Sequence, residues 1–289
     1  MNLLREVRNI GFILGAIAVL FMLSSTVVWA DTFRIALTQA SSGATKKYRP
    51  LEIYLKGQGV DVQFVAARDY PHAAKLFAAG KADAMFCGSG VAGTMIIKGL
   101  AKPVLRPVSE AGYSTYWAVI VAPKEVAKFD GTASFFTGKK VLAARLASSG
   151  EVFYRSIPGI NSVGSTYLPA ANHGAAIDAL AKGVGDAAVV KVWVWESMKD
   201  KYPQLQMVGQ DRGENPDGTL IMANTADKDV MEKVTRAIFA VNDDFGPTAE
   251  AVREGMDIRF FTKTTEADFE HTLGLLKRAG VDKDFNFAF

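Results

Sequence analysis

Three short turns rich in serine and glycine contain the groups best suited to bind a ligand. They are Ser41-Ser42-Gly43, Gly88-Ser89-Gly90 and Ala147-Ser148-Ser149-Gly150. Each lies where an apolar run typical of a strand meets the start of a predicted helix. Such a turn offers hydroxyl donors and unpaired backbone N–H groups beside the positive end of a helix, which suits an anion. Ser89, Ser148 and Ser149 are therefore candidate ligand-binding residues.

Five further side chains are predicted near the same edge of the fold. His173 directly precedes a helix and is a candidate donor, while Tyr113 and Tyr116 border the strand at 117–121. Of Trp193 and Trp195 at most one lines a site, and Trp193 is taken as the candidate. Cys87 ends a strand beside a glycine, where a small buried filler is expected rather than a reactive thiol.

Several other classes of protein are excluded or disfavoured. Ser89 lacks the G-x-S-x-G context of a nucleophile, and no Walker or dinucleotide-binding motif is present. The 289 residues include one cysteine and three dispersed histidines, so neither a disulfide framework nor a zinc site is predicted. A net charge of +3 is too small and too scattered for a nucleic-acid surface. We therefore expect no enzyme activity, no cofactor, no metal and no nucleic-acid partner.

The N-terminal segment is predicted to be an export signal. Arg5 and Arg8 precede an apolar run over 10–23, and Val28-Trp29-Ala30 has the small-residue pattern of a cleavage site. The apolar run is shorter than the roughly 20 residues that span a bilayer. Cleavage after Ala30 would release a periplasmic protein without a lipid anchor, whereas the alternative is an uncleaved anchor helix.

The rest of the chain is predicted to be α/β, with largely parallel sheets covered by helices. Strands such as Phe33–Thr38 and Ala84–Cys87 alternate with helical patterns. A weak internal repeat supports two similar units: a helix after Tyr70, then Gly80 to Asp83 and a strand, matched by a helix after Asn172, then Gly183 to Asp186 and a strand.

Two lobes follow from this repeat. The apolar strands Trp117–Val121 and Thr219–Ala223 are the candidate hinge. The predicted first lobe is discontinuous, comprising 31–122 and 224–289, and the second lobe comprises 123–223.

The chain resembles the periplasmic substrate-binding proteins of phosphate/phosphonate-type ABC transporters, which have the type II periplasmic-binding-protein fold. The resemblance covers most of the chain after residue 30 and is carried by six segments: 48–55 (YRPLEIYL), 62–70 (VQFVAARDY), 80–88 (GKADAMFCG), 116–121 (YWAVIV), 148–150 (SSG) and 172–173 (NH). It implies that two lobes close on a small ligand and deliver it to an inner-membrane permease, with no catalysis. We expect the protein to act as a monomer.

The resemblance also implies a phosphonate site. The family's helix start that binds the oxyanion falls on Ala147, Ser148 and Ser149, its histidine on His173, and its cleft tyrosine on Tyr116.

Three positions depart from the family's pattern, the first being Ala147, where one hydroxyl of the oxyanion-binding helix start is lost. Cys87 stands where a tyrosine is expected, and Lys191-Val192-Trp193 stands where an acid would grip an amino group. Asp217 is a candidate for the remaining carboxylate.

Two ligand hypotheses remain open. The first is a phosphonate- or phosphate-like oxyanion. The second is a larger apolar ligand, lipid or sterol-like, in a cleft enlarged by the loss of the tyrosine and the acid. The sequence also leaves open a different role, in which the protein senses a ligand as the partner of a membrane receptor.

Overall fold

A computed structural model describes residues 32–38 and 42–289, with the side chains of all of these except 42–45 and 148. The predicted export signal and its cleavage site lie outside the described residues. Within the described part of the chain, no helix has the length and apolarity needed to cross a membrane.

Strands and helices alternate along most of the described chain. In chain order the strands are β1 (Phe33–Leu37), β2 (Val62–Ala66), β3 (Ala84–Cys87), β4 (Ala101–Ser109), β5 (Thr115–Tyr116), β6 (Ala118–Pro123), β7 (Lys140–Ala144), β8 (Thr166–Ala170), β9 (Ala187–Lys191), β10 (Leu205–Gln210), β11 (Asn215–Pro216), β12 (Thr219–Ala223) and β13 (Ile258–Lys263). The α-helices are α1 (Ser42–Gly57), α2 (Tyr70–Ala78), α3 (Ser89–Ile97), α4 (Phe153–Arg155), α5 (His173–Ala181), α6 (Val192–Met198), α7 (Lys228–Ala240), α8 (Pro247–Met256) and α9 (Glu270–Arg278). Shorter helical turns cover Ala133–Phe136, Ser148–Val152, Ile160–Ser162, Lys199–Lys201 and Glu266–Phe269.

Two sheets define two lobes. Lobe 1 contains the six-stranded sheet β13-β4-β12-β3-β1-β2, and lobe 2 contains the five-stranded sheet β10-β6-β9-β7-β8. In lobe 1, β1 pairs in parallel with β2 and β3, whereas β12 pairs antiparallel with β3 and β4. In lobe 2, β7 pairs in parallel with β8 and β9, whereas β6 pairs antiparallel with β9 and β10. The predicted α/β architecture is therefore confirmed, with mixed rather than largely parallel sheets.

The predicted internal repeat corresponds to one structural unit present in both lobes. Asp83 accepts a hydrogen bond from the backbone N–H of Arg34 on β1 at 2.8 Å, and Asp186 accepts one from Lys140 on β7 at 2.7 Å. Each carboxylate thus ties the start of its own strand to the neighbouring parallel strand. The helix that precedes each aspartate also has the same kind of N-terminal cap: the side chain of Asp69 caps α2, and the side chain of Asn172 caps α5.

The chain crosses between the lobes through a two-stranded ribbon, β5 paired with β11, which we call the crossing ribbon. The side-chain amide of Asn215 adds a hydrogen bond to the carbonyl of Tyr116. The strand predicted as one hinge, at 117–121, instead lies inside the lobe 2 sheet as β6, and the other, Thr219–Ala223, lies inside the lobe 1 sheet as β12. By sheet membership the changes of lobe therefore fall at the crossing ribbon rather than at 122/123 and 223/224.

Helix α1 is longer than the helix predicted around 51–56. It begins at Ser42, and Pro50 lies inside it without ending it. Its start places Lys47 and Tyr48 beside the gap between the lobes. The start of the helix, rather than its end, is the part that contributes to the site.

The C-terminal helix α9 joins the two lobes on the side of the crossing ribbon. Leu275 and Leu276 belong to the apolar cluster of lobe 2, whereas Phe269, just before the helix, belongs to a cluster of lobe 1. His271 pairs with Asp211 at 2.7 Å, and Thr272 donates to Asn215 of the ribbon at 2.7 Å. The helix therefore buttresses the crossing between the lobes.

Candidate functional site

A cavity of about 280 Å³ lies between the two lobes, where the carboxyl ends of β1, β3 and β9 meet. This is the edge at which open α/β sheets bind ligands. Both lobes and the crossing ribbon line the cavity: Leu37, Thr38, Lys47, Tyr48, Tyr70, Phe86, Cys87, Gly88, Val91, Pro107, Tyr116, Leu146, Ala147, His173, Lys191, Val194, Asp217, Gly218, Met256 and Ile258. Its volume lies at the lower end of ligand pockets, which suits a small molecule.

His173 forms the lobe 2 wall as the first residue of α5. It is 8% exposed, and its Nε2 lies 3.4 Å from the hydroxyl of Ser149. Its Nδ1 is buried without a hydrogen-bond partner among the described residues. Burial, followed by the positive charge of Lys191, lowers the pKa of His173 from 6.5 to about 3, so the ring is neutral at pH 7.

The predicted serine turn of lobe 2 starts the helical segment Ser148–Val152, which continues into α4. Ala147 lines the cavity, whereas Ser149 is fully buried directly behind the ring of His173. The side chain of Ser148 lies outside the described part of the structure. The turn and His173 therefore lie together, with the ring in front of the Ser149 hydroxyl.

Tyr116 reaches the cavity from the crossing ribbon. Its hydroxyl lies 2.6 Å from that of Ser89, the first residue of α3. Ser89 is fully buried and is not among the residues that line the cavity. Cys87 does line the cavity, and burial raises the pKa of its thiol, which keeps it protonated.

Three charged side chains meet in the cavity. Lys191, at the end of β9, and Asp217, next to the crossing ribbon, form an ion pair with Nζ and Oδ2 2.5 Å apart. The Lys191 ammonium also lies 5.0 Å from the centre of the Tyr116 ring. Lys47 enters from α1, and its pKa is lowered by burial and by Lys191, while Asp217 raises it. With two lysines, one aspartate and a neutral histidine, the lining is net positive.

Aromatic residues close the lobe 1 side. The ring of Tyr48 contacts Phe86 and Phe64, with centroids 5.1 and 5.6 Å apart. Burial and the charge of Asp217 raise the pKa of Tyr48, so its hydroxyl keeps its proton and remains a donor. This wall combines apolar rings with one polar group.

Besides Ser89 and Ser149, two further predicted site residues, Tyr113 and Trp193, lie outside the cavity lining. Tyr113 is 50% exposed and stacks on Trp193, with ring centroids 3.9 Å apart. The indole N–H of Trp193 donates to the carbonyl of Thr115. Trp193 lies in helix α6, and this hydrogen bond to Thr115 holds its ring against the crossing ribbon. Val194 is the residue of this helix that lines the cavity.

The sequence prediction did not include Lys47, Tyr48 and Tyr70 in the site. It considered Lys191 only within a departure from the family's pattern, and Asp217 only as a candidate for the remaining carboxylate. Lys191 does carry a local signal, since it is a charge that ends the buried strand β9. Lys47 carries none, because its position depends on where α1 begins. Among the described residues, no group of three histidine, cysteine or acidic side chains could hold a metal ion.

A second cavity of about 260 Å³ adjoins the first, and Tyr70 lines both. Lobe 1 contributes Asp69 and Pro71, and lobe 2 contributes Arg145 and the stretch 169–171. The space between the lobes therefore continues beyond Tyr70 toward an arginine.

Two α/β lobes joined by a short ribbon, with a cavity between them that contains charged side chains, define a type II periplasmic binding protein. The chain belongs to the family of ABC transporter, phosphonate, periplasmic substrate-binding proteins, whose sequence model matches residues 33–269.

Solved structures show the same fold at low sequence identity. A Xanthomonas citri protein bound to ATP has a TM-score of 0.71 and 14% identity, covering 86% of this chain and 98% of its own. The binding protein component of an ABC phosphonate transporter from Pseudomonas aeruginosa has a TM-score of 0.69 and 14% identity, covering 85% and 86%. PhnD1 from Prochlorococcus marinus in complex with methylphosphonate has a TM-score of 0.69 and 13% identity, covering 86% and 98%. No curated protein sequence matches the chain at a significant level.

The family assignment does not favour the hypothesis of an apolar ligand. A lipid or sterol would require a large dry cavity, but this one is small and contains Lys47, Lys191 and Asp217. Desolvating these charges for an apolar ligand would be costly. The loss of the tyrosine at Cys87 has therefore not produced a lipid pocket.

Proposed function

We propose that this protein captures a small phosphonate- or phosphate-like oxyanion in the cavity between its lobes and delivers it to an ABC transporter permease. The observation that carries the proposal is the net positive lining at the carboxyl edge of both sheets, in a chain of the phosphonate-binding family. The relative from Prochlorococcus marinus is itself in complex with methylphosphonate.

His173 and the serine turn of lobe 2 are the proposed oxyanion site. The 3.4 Å contact between His173 and Ser149 is longer than a strong hydrogen bond, so an oxyanion oxygen can compete for these groups. Ser148, at the start of the same helical segment, is proposed as a second hydroxyl donor. Each hydrogen bond to a charged ligand is worth about 1.5–3 kcal/mol.

Tyr116 is the proposed donor from the crossing ribbon. Its contact with Ser89 fixes the orientation of the hydroxyl, and Cys87 lines the adjacent wall. Tyr113 and Trp193 are not part of the proposed oxyanion site, because their rings stack on each other outside the cavity.

We propose that the protein works in the periplasm as a monomer. Residues 1–30 would act as the export signal, cleaved after Ala30. Mass spectrometry of the exported chain checks this, because a mature protein beginning at Asp31 is expected and an intact Met1 would refute cleavage. Co-purification with a permease rather than a signalling receptor would separate transport from sensing.

A thermal-shift panel tests the oxyanion proposal. At about 100 times its Kd, a ligand adds about 2.7 kcal/mol to the free energy of unfolding. Phosphate, phosphite and methylphosphonate should include a stabilising ligand, whereas lipids should have no effect. Stabilisation by lipids alone would eliminate the oxyanion proposal.

A double variant tests where the oxyanion binds. Ser149→Ala combined with His173→Gln should abolish the ligand-induced shift, whereas His72→Gln, a histidine of α2 outside the cavity lining, should leave it unchanged. An unchanged response in the double variant would show that the oxyanion binds elsewhere.

A further inference from the structure

The charged groups of the cavity come from three separate parts of the chain. Lys47 is on α1, Lys191 ends β9, and Asp217 lies between β11 and β12. Together they form what we call the lysine cluster. Lobe 1, lobe 2 and the connection between them thus each contribute one charge.

The negative charge in the lysine cluster, that of Asp217, is already paired with a lysine. Asp217 contacts Lys191 at 2.5 Å, a short charge-assisted hydrogen bond. Lys47 has no hydrogen bond or ion pair to another described residue. One carboxylate therefore shares the cavity with two ammonium groups.

The other charged or titratable groups around the cluster do not balance this excess. His173 is neutral, and the hydroxyl of Tyr48 and the thiol of Cys87 keep their protons. Asp257, at the end of α8, has only a minor effect on Lys47, smaller than those of Asp217 and Lys191. A ligand with a further negative charge would balance this excess.

We infer that the ligand carries a second anionic group, a carboxylate bound between Lys47 and Lys191, in addition to the oxyanion at His173. The chemical class is a phosphonocarboxylate or a phosphate ester with a carboxylate. This inference rests on the proposed function and extends it to a second charged group of the ligand.

The same charges act against an amino substituent. An ammonium group in the cavity would meet Lys47 and Lys191, while Asp217, the only carboxylate among the described lining residues, is paired with Lys191. Like charges repel more strongly where water is partly excluded than they do in bulk water. Aminoalkyl phosphonates should therefore bind more weakly than phosphonates with an acidic substituent.

Calorimetric titration of the exported protein with three probes tests the inference. Phosphonoacetate should bind about tenfold or more tightly than methylphosphonate, and 2-aminoethylphosphonate should bind more weakly than both. Methylphosphonate shares the oxyanion and lacks the second charge, so it isolates the contribution of the carboxylate.

Variants of Lys47 identify the source of the preference and leave the Lys191–Asp217 pair in place. Lys47→Gln should lower the affinity for phosphonoacetate about tenfold and that for methylphosphonate much less. Lys47→Arg should retain the preference. Lys124→Gln removes an exposed lysine after β6, outside the cavity lining, and serves as the matched control.

The outcomes separate the inference from the proposed function. If methylphosphonate binds as tightly as phosphonoacetate, or if Lys47→Gln weakens both equally, the lysines serve a single oxyanion and the inference is wrong while the proposed function stands. If no phosphonate or phosphate binds, the proposed function fails and the inference fails with it.

Discussion

The neutral, buried ring of His173 makes the stability of the unliganded protein depend on pH. In the unfolded chain this histidine takes up a proton near its ordinary pKa of 6.5, whereas in the folded chain the pKa is about 3. Between these values the unfolded state binds more protons than the folded state. Stability contributed by the neutral ring is therefore complete above pH 6.5 and is lost as the pH falls toward 3.

The size of the effect follows from the two pKa values. Between pH 7 and pH 5 the linkage relation gives a loss of about 2 kcal/mol in the free energy of unfolding from His173 alone. Most ordinary carboxylates stay ionised above pH 5, which makes this window selective for histidine. An oxyanion bound beside the ring would offset part of the loss by favouring the charged imidazolium.

Urea unfolding at pH 7, 6 and 5 in a buffer free of phosphate and other oxyanions measures this loss. His173→Gln should abolish most of the dependence, whereas His72→Gln, which removes a ring that accepts a hydrogen bond from Arg68, should retain it. An equally steep loss in His173→Gln would show that His173 is not responsible and would refute the reasoning.

Three further perturbations test the packing around the site. In chemical unfolding, Gly93→Ala on α3 should destabilise the protein by about 1–3 kcal/mol, because the added Cβ would lie 2.5 Å from the side chain of Leu276 on α9. The control is Gly274→Ala, which should be neutral or stabilising, because its added Cβ would have its nearest contact at 3.4 Å. Asp186→Ala should cost about 1–3 kcal/mol in the same assay through the lost bond to Lys140, and no cost would refute that role. Cys87 should react slowly with a thiol reagent in the folded protein and rapidly in urea; fast native labelling would contradict its burial.

The repeated local signals explain why the fold could be predicted from the sequence. The spacing of Gly80 to Asp83 and of Gly183 to Asp186 marks the same helix-to-strand connection in both lobes, because a positive φ at each glycine ends the helix and the carboxylate ties two strands together. The strands Ala84–Cys87 and Thr219–Ala223 have the predicted bounds for a related reason, since their residues are almost uniformly buried. Such features depend on a few neighbouring residues.

The crossing between the lobes lacked such a signal. Each strand of the crossing ribbon is two residues long, too short to show any periodicity, whereas the apolar strands β6 and β12 beside it are conspicuous. The hinge was therefore predicted on the strands that adjoin it. The lysine cluster was missed for a different reason: it joins residues up to 170 positions apart, and only the assembled sheets bring Lys47 to Asp217.

The position of the crossing ribbon assigns different roles to the parts of the cavity. Tyr116 lies in the ribbon, Asp217 directly follows it, and Lys191 is tied to Asp217, so these groups lie near the axis of any rotation between the lobes. His173 belongs to lobe 2, whereas Lys47 and Tyr70 belong to lobe 1, and a rotation about the ribbon would separate them. A ligand that contacts both His173 and Lys47 therefore favours the closed arrangement, whereas one that contacts only the Lys191–Asp217 pair does not. For this reason a second anionic group would promote closure as well as affinity.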